Sequence, residues 1–352
     1  MMEINGCTID SRLVKKTDTY VAIRGENTDG NEYINVAFDN GASACIIDKL
    51  PNEEVLKQYK NKVIIHVENT IDAIQKIAKY KRNLYDIPVI GITGSVGKTS
   101  TKDMIASVLS KKFNVHKTQG NYNNHIGLPL TILNMQNEHN ALVLEMGMNH
   151  MGEISVLTDI GRPTICVYTT IGTAHIGNLG SRENILKAKL EMLEGITGIK
   201  QVMINNDNDL LSDWNSKQTE YNVTTYGINS DSEYVAYNIR GVGTGSKFNI
   251  DIDNNIYEVN VNVAGTGFVY NSLSAIVVGR ALEIEMEDIL HGISNFDLTP
   301  NRMHIEEVQS NIAVINDCYN ASNDSMEVAL EVLKNLAAMR RIAVLGNMRE
   351  LR

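Results

Sequence analysis

PVIGITGSVGKTSTKD, residues 88–103, is a short β-branched run followed by a glycine-punctuated loop (Gly94, Ser95, Val96, Gly97), then Lys98, Thr99 and Ser100, and a helical pattern running to Phe113. Strand, glycine loop and helix in that order make a phosphate site. The glycines let backbone N–H groups crowd round a polyphosphate, and the helix start adds its partial positive charge. Lys98 reaches the outer phosphates, and the Thr99 hydroxyl is placed to hold Mg²⁺. The G-x-x-x-x-G-K-[ST] spacing asks for glycine at 92, where Ile92 stands, so the loop is a tighter variant anchored on Gly94.

Upstream of this loop, residues 8–85 alternate short strands and helices (YVAIRG, ACIID, KVIIHV, then a helix over 70–85), a small α/β domain assigned to residues 1–85 and closed by the break Asp86-Ile87-Pro88. Downstream, VIGIT, ALVLEM, TICVYTTI and QVMIN are apolar throughout and separated by helical segments, the pattern of a parallel sheet covered on both faces. Between residues 221 and 263 the strands follow one another without helices, which predicts an antiparallel extension, and helices return at 270–282 and 286–295. This central domain spans residues 86–310. Residues 311–352 open a third unit: IAVIND, a helix over 325–339 and RIAVLGN form one β-α-β unit. One such unit cannot cover both faces of its own sheet, so it either packs on the preceding domain or begins a further domain of roughly 100 to 150 residues.

The chain has 352 residues, enough for two or three domains with their own cores. A formal charge of -10 without a long basic run argues against nucleic acid or an anionic membrane surface as partner. No apolar stretch approaches the roughly 20 residues that span a bilayer, and the polar start MMEINGCTIDSR is unlike a signal peptide, so a cytoplasmic protein is expected. Cys7, Cys45, Cys166 and Cys318 are scattered without a C-x-x-C pair, which predicts buried thiols rather than disulfides or a zinc site.

In open α/β sheets ligands bind beyond the carboxyl ends of the strands. Glu145 ends ALVLE and His175 follows TICVYTTIGTA, so both are expected near the Lys98–Thr99 loop. An acidic group opposite such a loop is a second anchor for Mg²⁺, whereas the bland alternative for Glu145 is a helix cap. His175 is open between a site role and an ordinary loop histidine. In a helix predicted over 181–194, Lys189 falls on the apolar face of Ile185, Leu186, Leu190, Met192 and Leu193, while Lys187, Glu191 and Glu194 share the solvated side. A lysine there snorkels, pairs with a carboxylate, or loses its charge and adds CO₂ to give a carbamate, an oxygen ligand for a second Mg²⁺. Asn121, Asn123 and Asn124 in TQGNYNNHIGLP suit a polar substrate, and equally an ordinary turn. DCYNASNDSM (317–326) is as ambiguous, with Ser322 or Asn323 a helix cap.

These motifs in this order resemble the Mur ligases of peptidoglycan synthesis. The resemblance is carried by Asp10-Ser11-Arg12, YVAIRGENTDG, GITGSVGKTSTKD, GNYNNHIGLPLTIL, LVLEMGMNHMGEI, the stretch from IGTAHIGNLGS to KAKLEM, Asn205 with Asp207, and DCYNASNDSM, and it runs from about residue 8 to the end. Within the family, the NNHIGLP and YNA motifs look like the branch that joins D-alanyl-D-alanine to UDP-MurNAc-tripeptide. The resemblance implies that ATP phosphorylates the tripeptide carboxylate and that the dipeptide amine attacks the acyl phosphate. It implies that Lys98 neutralises the transferring phosphoryl group, that Thr99 and Glu145 hold one Mg²⁺, and that His175 with carbamylated Lys189 holds or orients a second. By the same resemblance Asn271 and Arg302 lie near adenine and the ATP phosphates, Ser11 and Arg12 serve the uridine nucleotide, and Asn121 to Asn124 serve the sugar-peptide. A monomer is expected.

Three departures stand out. Gly267-Phe268 replaces the family's His-Asn before Asn271, Asp29-Gly30-Asn31 replaces DG-H, and the sequence ends at GNMRELR, where relatives continue a Rossmann-like domain. A C-terminally truncated ligase is therefore expected. The alternatives are a module that binds nucleotide or UDP-peptide without completing ligation, another Mur-type ligase, or a P-loop ATPase unrelated to cell walls.

Overall fold

The computed structural model describes residues 5–198, 200–309, 312–336 and 338–348. Four short apolar runs, β1 (Cys7–Thr8), β2 (Thr19–Val21), β3 (Ala44–Ile47) and β4 (Val63–His66), pair in parallel in that order. Parallel pairing needs crossovers, and α1 (Ile34–Asp39) and α2 (Glu53–Gln58) supply two of them. Next, α3 (Thr70–Arg82) starts where the Asn69 side chain accepts N–H bonds from Ile71 and Asp72 at 2.8 and 3.2 Å. It ends three residues short of the expected helix, because the buried Arg82 guanidinium turns to the carbonyls of Tyr85, Gly161 and Arg162 at 2.7, 2.9 and 3.2 Å. Those bonds fasten the first unit to the second.

The second unit begins with β5 (Val89–Thr93), every residue of which is buried. After it come α4 (Lys98–Leu109), β6 (Val115–Lys117), α5 (Gly127–Leu133), β7 (Ala141–Glu145), α6 (Glu153–Gly161) and β8 (Ile165–Tyr168). Strand alternation divides the core: Ile90, Ile92, Val143 and Val167 pack toward α4, while Val89, Leu142, Leu144 and Cys166 pack toward α3, α5 and α6. A short α7 (Ile176–Leu179) leads to α8 (Arg182–Leu190), capped by Ser181, and to β9 (Gln201–Asn205) and α9 (Asp209–Lys217). The helix expected over 181–194 breaks at Glu191 into a 3-10 turn, Glu191–Gly195. Glu191, expected on a solvated face, is buried instead: its carboxylate accepts from Gly152 N and Ser155 N at 2.7 and 3.1 Å and caps the start of α6.

Beyond β9 come β10 (Asn222–Gly227), β11 (Tyr234–Val242), β12 (Gly245–Ile252) and β13 (Asn255–Val261), completing a sheet of order β13-β12-β11-β10-β9-β8-β5-β7-β6. The antiparallel extension starts later than expected, since β10 and β11 still pair in parallel. What permits this is the Asp207 carboxylate, which gathers Ile228 N, Asn229 N and Ser230 N of the connecting turn at 2.6, 3.1 and 2.7 Å. Two helices, α10 (Thr266–Ala281) and α11 (Met286–Ser294), return to cover α4.

The C-terminal part contains β14 (His304–Gln309), β15 (Ile312–Asn316) and α12 (Asn323–Asn335). β14 and β15 form an antiparallel hairpin across the expected 310/311 boundary, whose two residues lie outside those described, as does the end of the expected third unit at 349–352. Ser322 caps α12 in a reciprocal pair with Ser325, and Val332 of α12 is buried in the central core. RIAVLGN does not form the second strand of a β-α-β unit. It lies in no strand although the two-stranded β14–β15 sheet has free edges, and Ile342, Val344 and Leu345 are exposed rather than packed on a core. Cys45 and Cys166 are buried as expected, but Cys7 is half-buried and Cys318 exposed. Among the described residues no helix is long and apolar enough to cross a membrane.

Candidate functional site

Two chain crossings place the site. From β5 the chain runs to β6 at one edge, returns through β7 beside β5, and then crosses to β8 on the other side. The reversal leaves a crevice beyond the strand ends. There a cavity of about 340 Å³ opens, with Ser95 to Ser100 on one wall and Glu145 and His175 on others.

The loop wall is built around backbone that only glycine tolerates. Gly94 has φ +155, and a Cβ there would run into Thr169 Oγ1; Gly97 has φ +88 and begins α4 without a side-chain cap. An uncapped start leaves the first N–H groups of α4 for an anion. Thr169 Oγ1 donates to Val96 O at 2.6 Å, Ser95 N donates to Thr170 O at 2.8 Å, and Gly172 N donates to Ser95 Oγ at 2.9 Å, so the loop is tied to the segment after β8. Lys98 Nζ donates to Gly94 O at 2.8 Å. Lys189, 1% exposed, donates to the same oxygen at 3.0 Å. The lysine does not snorkel: its helix delivers it to the underside of the loop.

Opposite stands Glu145, 2% exposed at the end of β7. It caps no helix. Oε1 accepts from Asn123 Nδ2 at 2.8 Å, and Oε2 is buried without a hydrogen-bond partner. A buried carboxylate oxygen with no donor is costly, and a cation is the partner that removes the cost. The Asn123 contact also orders the polar loop, in which Asn124 Oδ1 accepts from Ile126 N and Gly127 N at 3.1 and 2.8 Å while Asn121 faces the cavity. His175 also lines the cavity, at φ +65 before α7. Among the described residues no three His, Cys, Asp or Glu side chains converge as a ready-made metal cluster. A hard cation here would combine the Thr99 hydroxyl and Glu145 with oxygens of a bound phosphate.

Asn271 comes from α10 and accepts from Thr101 Oγ1 at 2.9 Å. Arg302 comes from the segment before β14 and stacks on Tyr319 at 4.0 Å, with its Nε buried and unpartnered. Burial pushes the neighbouring Asp317 carboxyl up, against the opposing pull of the Met303 N–H and Arg302. Ser11 and Arg12 are not brought to this cavity. They lie in the four-stranded unit, Ser11 buried and Arg12 exposed and paired with Asp10 at 2.7 Å.

Two residues with roles here were not legible beforehand. Glu191 acts on a helix start 39 positions away, and Asp324 of α12 accepts from Thr173 N at 3.0 Å across 151 positions. Neither has a local sequence signal.

Three family models match. "Mur ligase family, catalytic domain" covers residues 3–82, "Mur ligase middle domain" residues 92–279 and "Mur ligase, glutamate ligase domain" residues 301–352. The chain is 37% identical to the UDP-N-acetylmuramoyl-tripeptide–D-alanyl-D-alanine ligase of Bacillus subtilis, over 99% of this chain and 74% of that one. The crystal structure of MurF from Acinetobacter baumannii superposes with a TM-score of 0.88 at 27% identity, covering 99% of this chain and 75% of that one. MurF ligase from Thermotoga maritima in complex with ADP gives 0.79 at 26% identity, over 94% and 75%.

Proposed function

The chain belongs to the Mur ligase family, and from that premise we infer that it is an ATP-dependent carbon–nitrogen ligase of peptidoglycan precursor synthesis, joining D-alanyl-D-alanine to UDP-MurNAc-tripeptide. One observation supports this above the others: a glycine loop with an uncapped helix start faces a buried carboxylate oxygen, Glu145 Oε2, that lacks a partner. That pairing suits a nucleotide polyphosphate carrying a cation.

In the reaction a γ-phosphoryl group moves from ATP to the terminal carboxylate of the tripeptide, leaving ADP and an acyl phosphate. The amine of D-alanyl-D-alanine then attacks the acyl carbon, the C–N bond forms, phosphate departs and the amine gives up a proton. Both steps concentrate negative charge on oxygens, so the protein's work is positioning and electrostatic stabilisation. Gly94, Ser95, Val96, Gly97 and Ser100 cradle the phosphates, and Lys98 neutralises the group in transfer. Thr99 and Glu145 would hold Mg²⁺, which supplies positive charge to the phosphate oxygens. His175 and Lys189, the latter as a carbamate, would orient or hold a second cation. Asn271 and Arg302 bind ATP, and Asn121, Asn123 and Asn124 bind the sugar-peptide.

We assign the UDP end of the substrate to residues 1–85 with Ser11 and Arg12, ATP to the central domain 86–310, and the start of the ligase domain to 311–352, the β14–β15 hairpin bridging the last two. We assign the chain as a monomer. Use of ATP and a UDP-linked sugar supports a cytoplasmic setting. The test is phosphate release from MgATP with UDP-MurNAc-tripeptide, with and without D-alanyl-D-alanine. Release that needs the tripeptide and disappears with Lys98→Ala is the expected result; release indifferent to the tripeptide refutes the ligase reading.

A further inference from the structure

One buried carboxylate, outside the residues assigned so far, ties together three walls of the cavity. Asp103 lies on α4, one turn beyond Thr99, with its side chain 2% exposed. Its Oδ1 faces Lys117 Nζ at 2.7 Å and Lys102 Nζ at 3.3 Å. Its Oδ2 accepts from Thr299 Oγ1 at 2.6 Å and Thr299 N at 3.2 Å. Lys117 ends β6, just before Thr118, whose hydroxyl accepts from Glu145 N at 3.0 Å, and before the asparagine loop. Thr299 stands three residues before Arg302.

The intervening residues pass that placement on with little slack. Pro300 has its φ fixed by the ring, and Asn301 sits at φ +62, the left-handed region that asparagine tolerates. On the far side Met303 N donates to Asp317 Oδ1 at 3.1 Å. Arg302 is thus held between two anchored points, with Nε buried and unpartnered in the cavity wall. Two lysines satisfy one oxygen of Asp103, which leaves the other oxygen for the linker.

We propose that Asp103, through Thr299, is a positioning residue that sets Arg302 against the phosphates of the bound nucleotide. This rests on the reading of the cavity as the ATP site. Asp103 touches no substrate. It couples the helix that binds phosphate to the segment that delivers the Arg302 guanidinium, so that both walls move as one.

The experiment measures the dissociation constant of MgATP by calorimetry for the wild type, Thr299→Val, Thr299→Ser, Arg302→Ala and the double variant Thr299→Val with Arg302→Ala. Loss of a charged contact weakens binding by roughly tenfold or more in Arg302→Ala, and loss of the hydroxyl donor by roughly threefold in Thr299→Val. Thr299→Ser, which keeps the donor, restores most of the affinity. The double variant is no weaker than Arg302→Ala alone, because Thr299 acts through Arg302. Asp103→Asn follows the same pattern where it folds; Thr299→Val decides the matter where it does not. Effects that add in the double variant, with a wild type that binds MgATP, overturn the positioning role and leave the ligase reading standing. A wild type that does not bind MgATP overturns both.

Discussion

Lys98 and Lys189 donate to one acceptor, the Gly94 carbonyl oxygen, at 2.8 and 3.0 Å. One lysine belongs to the phosphate loop and the other arrives from α8, 95 positions away from Gly94. Their meeting point is the glycine whose backbone admits no side chain. A carbamate on Lys189 (amine plus CO₂, with release of a proton) would keep one N–H for that carbonyl. It would also turn the charge beside Lys98 from like to opposite and place two oxygens beneath the phosphate loop.

Lys189→Ala is therefore expected to lower kcat for phosphate release by roughly 100-fold or more, the scale seen when a preorganised electrostatic group is removed. CO₂-depleted wild-type enzyme should lose activity and regain it with bicarbonate. Activity that is indifferent to bicarbonate refutes the carbamate, even if the alanine variant is inactive.

Glu145→Gln keeps an oxygen for Asn123 and removes the charge. The Mg²⁺ concentration needed for half-maximal phosphate release should rise by roughly tenfold or more, since hard cations are held by anionic oxygens. Glu145→Ala should do this and also weaken binding of UDP-MurNAc-tripeptide, because the Asn123 contact at 2.8 Å goes too. A Mg²⁺ titration that coincides with the wild type would show that the unpartnered Oε2 holds no cation.

The sequence was most readable where chemistry is local. The glycine loop, the apolar strands and a cap at Ser322 or Asn323 each announce themselves within a few residues, because backbone conformation and helix capping are set by near neighbours; the structure puts the cap on Ser322. Lys189 was readable from its helical phase alone. Glu191 was misread for the same reason: the phase is lost where α8 tightens into a 3-10 turn, and its partners on α6 are distant in sequence. The parallel pairing of β10 with β11 depended on Asp207 folding a turn around itself, a long-range hydrogen-bond effect with no periodic signature. RIAVLGN shows the converse. An apolar run states a preference for strand, but a strand is held by burying its apolar face, and here Ile342, Val344 and Leu345 stay exposed.

Asp207 gives a pH-dependent prediction. Burial raises its pKa, but hydrogen bonds from Ser230, Ile228, Tyr270 and Asn229 outweigh that and hold the carboxyl below the usual range. A depressed carboxyl stabilises the fold above its unfolded pKa of about 3.9, and the benefit fades as pH falls through the lower folded value. Asp207→Asn should cost about 1–3 kcal/mol in urea unfolding at pH 7. The gap from the wild type should stay constant from about pH 8 down to 5 and narrow below about pH 4. A gap that widens on acidification would contradict the assignment.

Asp324 fastens α12 to the loop that carries His175. Its Oδ2 accepts from Thr173 N at 3.0 Å and Thr173 Oγ1 at 3.3 Å, and the neighbouring Gly172 N donates to Ser95 Oγ at 2.9 Å in the phosphate loop. A continuous chain of bonds thus runs from the C-terminal helix to the nucleotide wall. Asp324→Ala leaves Val332 buried in the central core, so the fold should survive while the N-terminal end of α12 loosens. Amide exchange in the first turn of α12 should quicken by roughly tenfold, as expected when a charged hydrogen-bond acceptor is lost. The KM for ATP should rise several-fold with a smaller change in kcat, because the effect reaches the phosphates through Ser95. Thr173→Val keeps the backbone donor and should give only part of either change. If exchange quickens and KM does not move, the contact is a fastening of the helix alone, and the path through Gly172 and Ser95 carries nothing to the site.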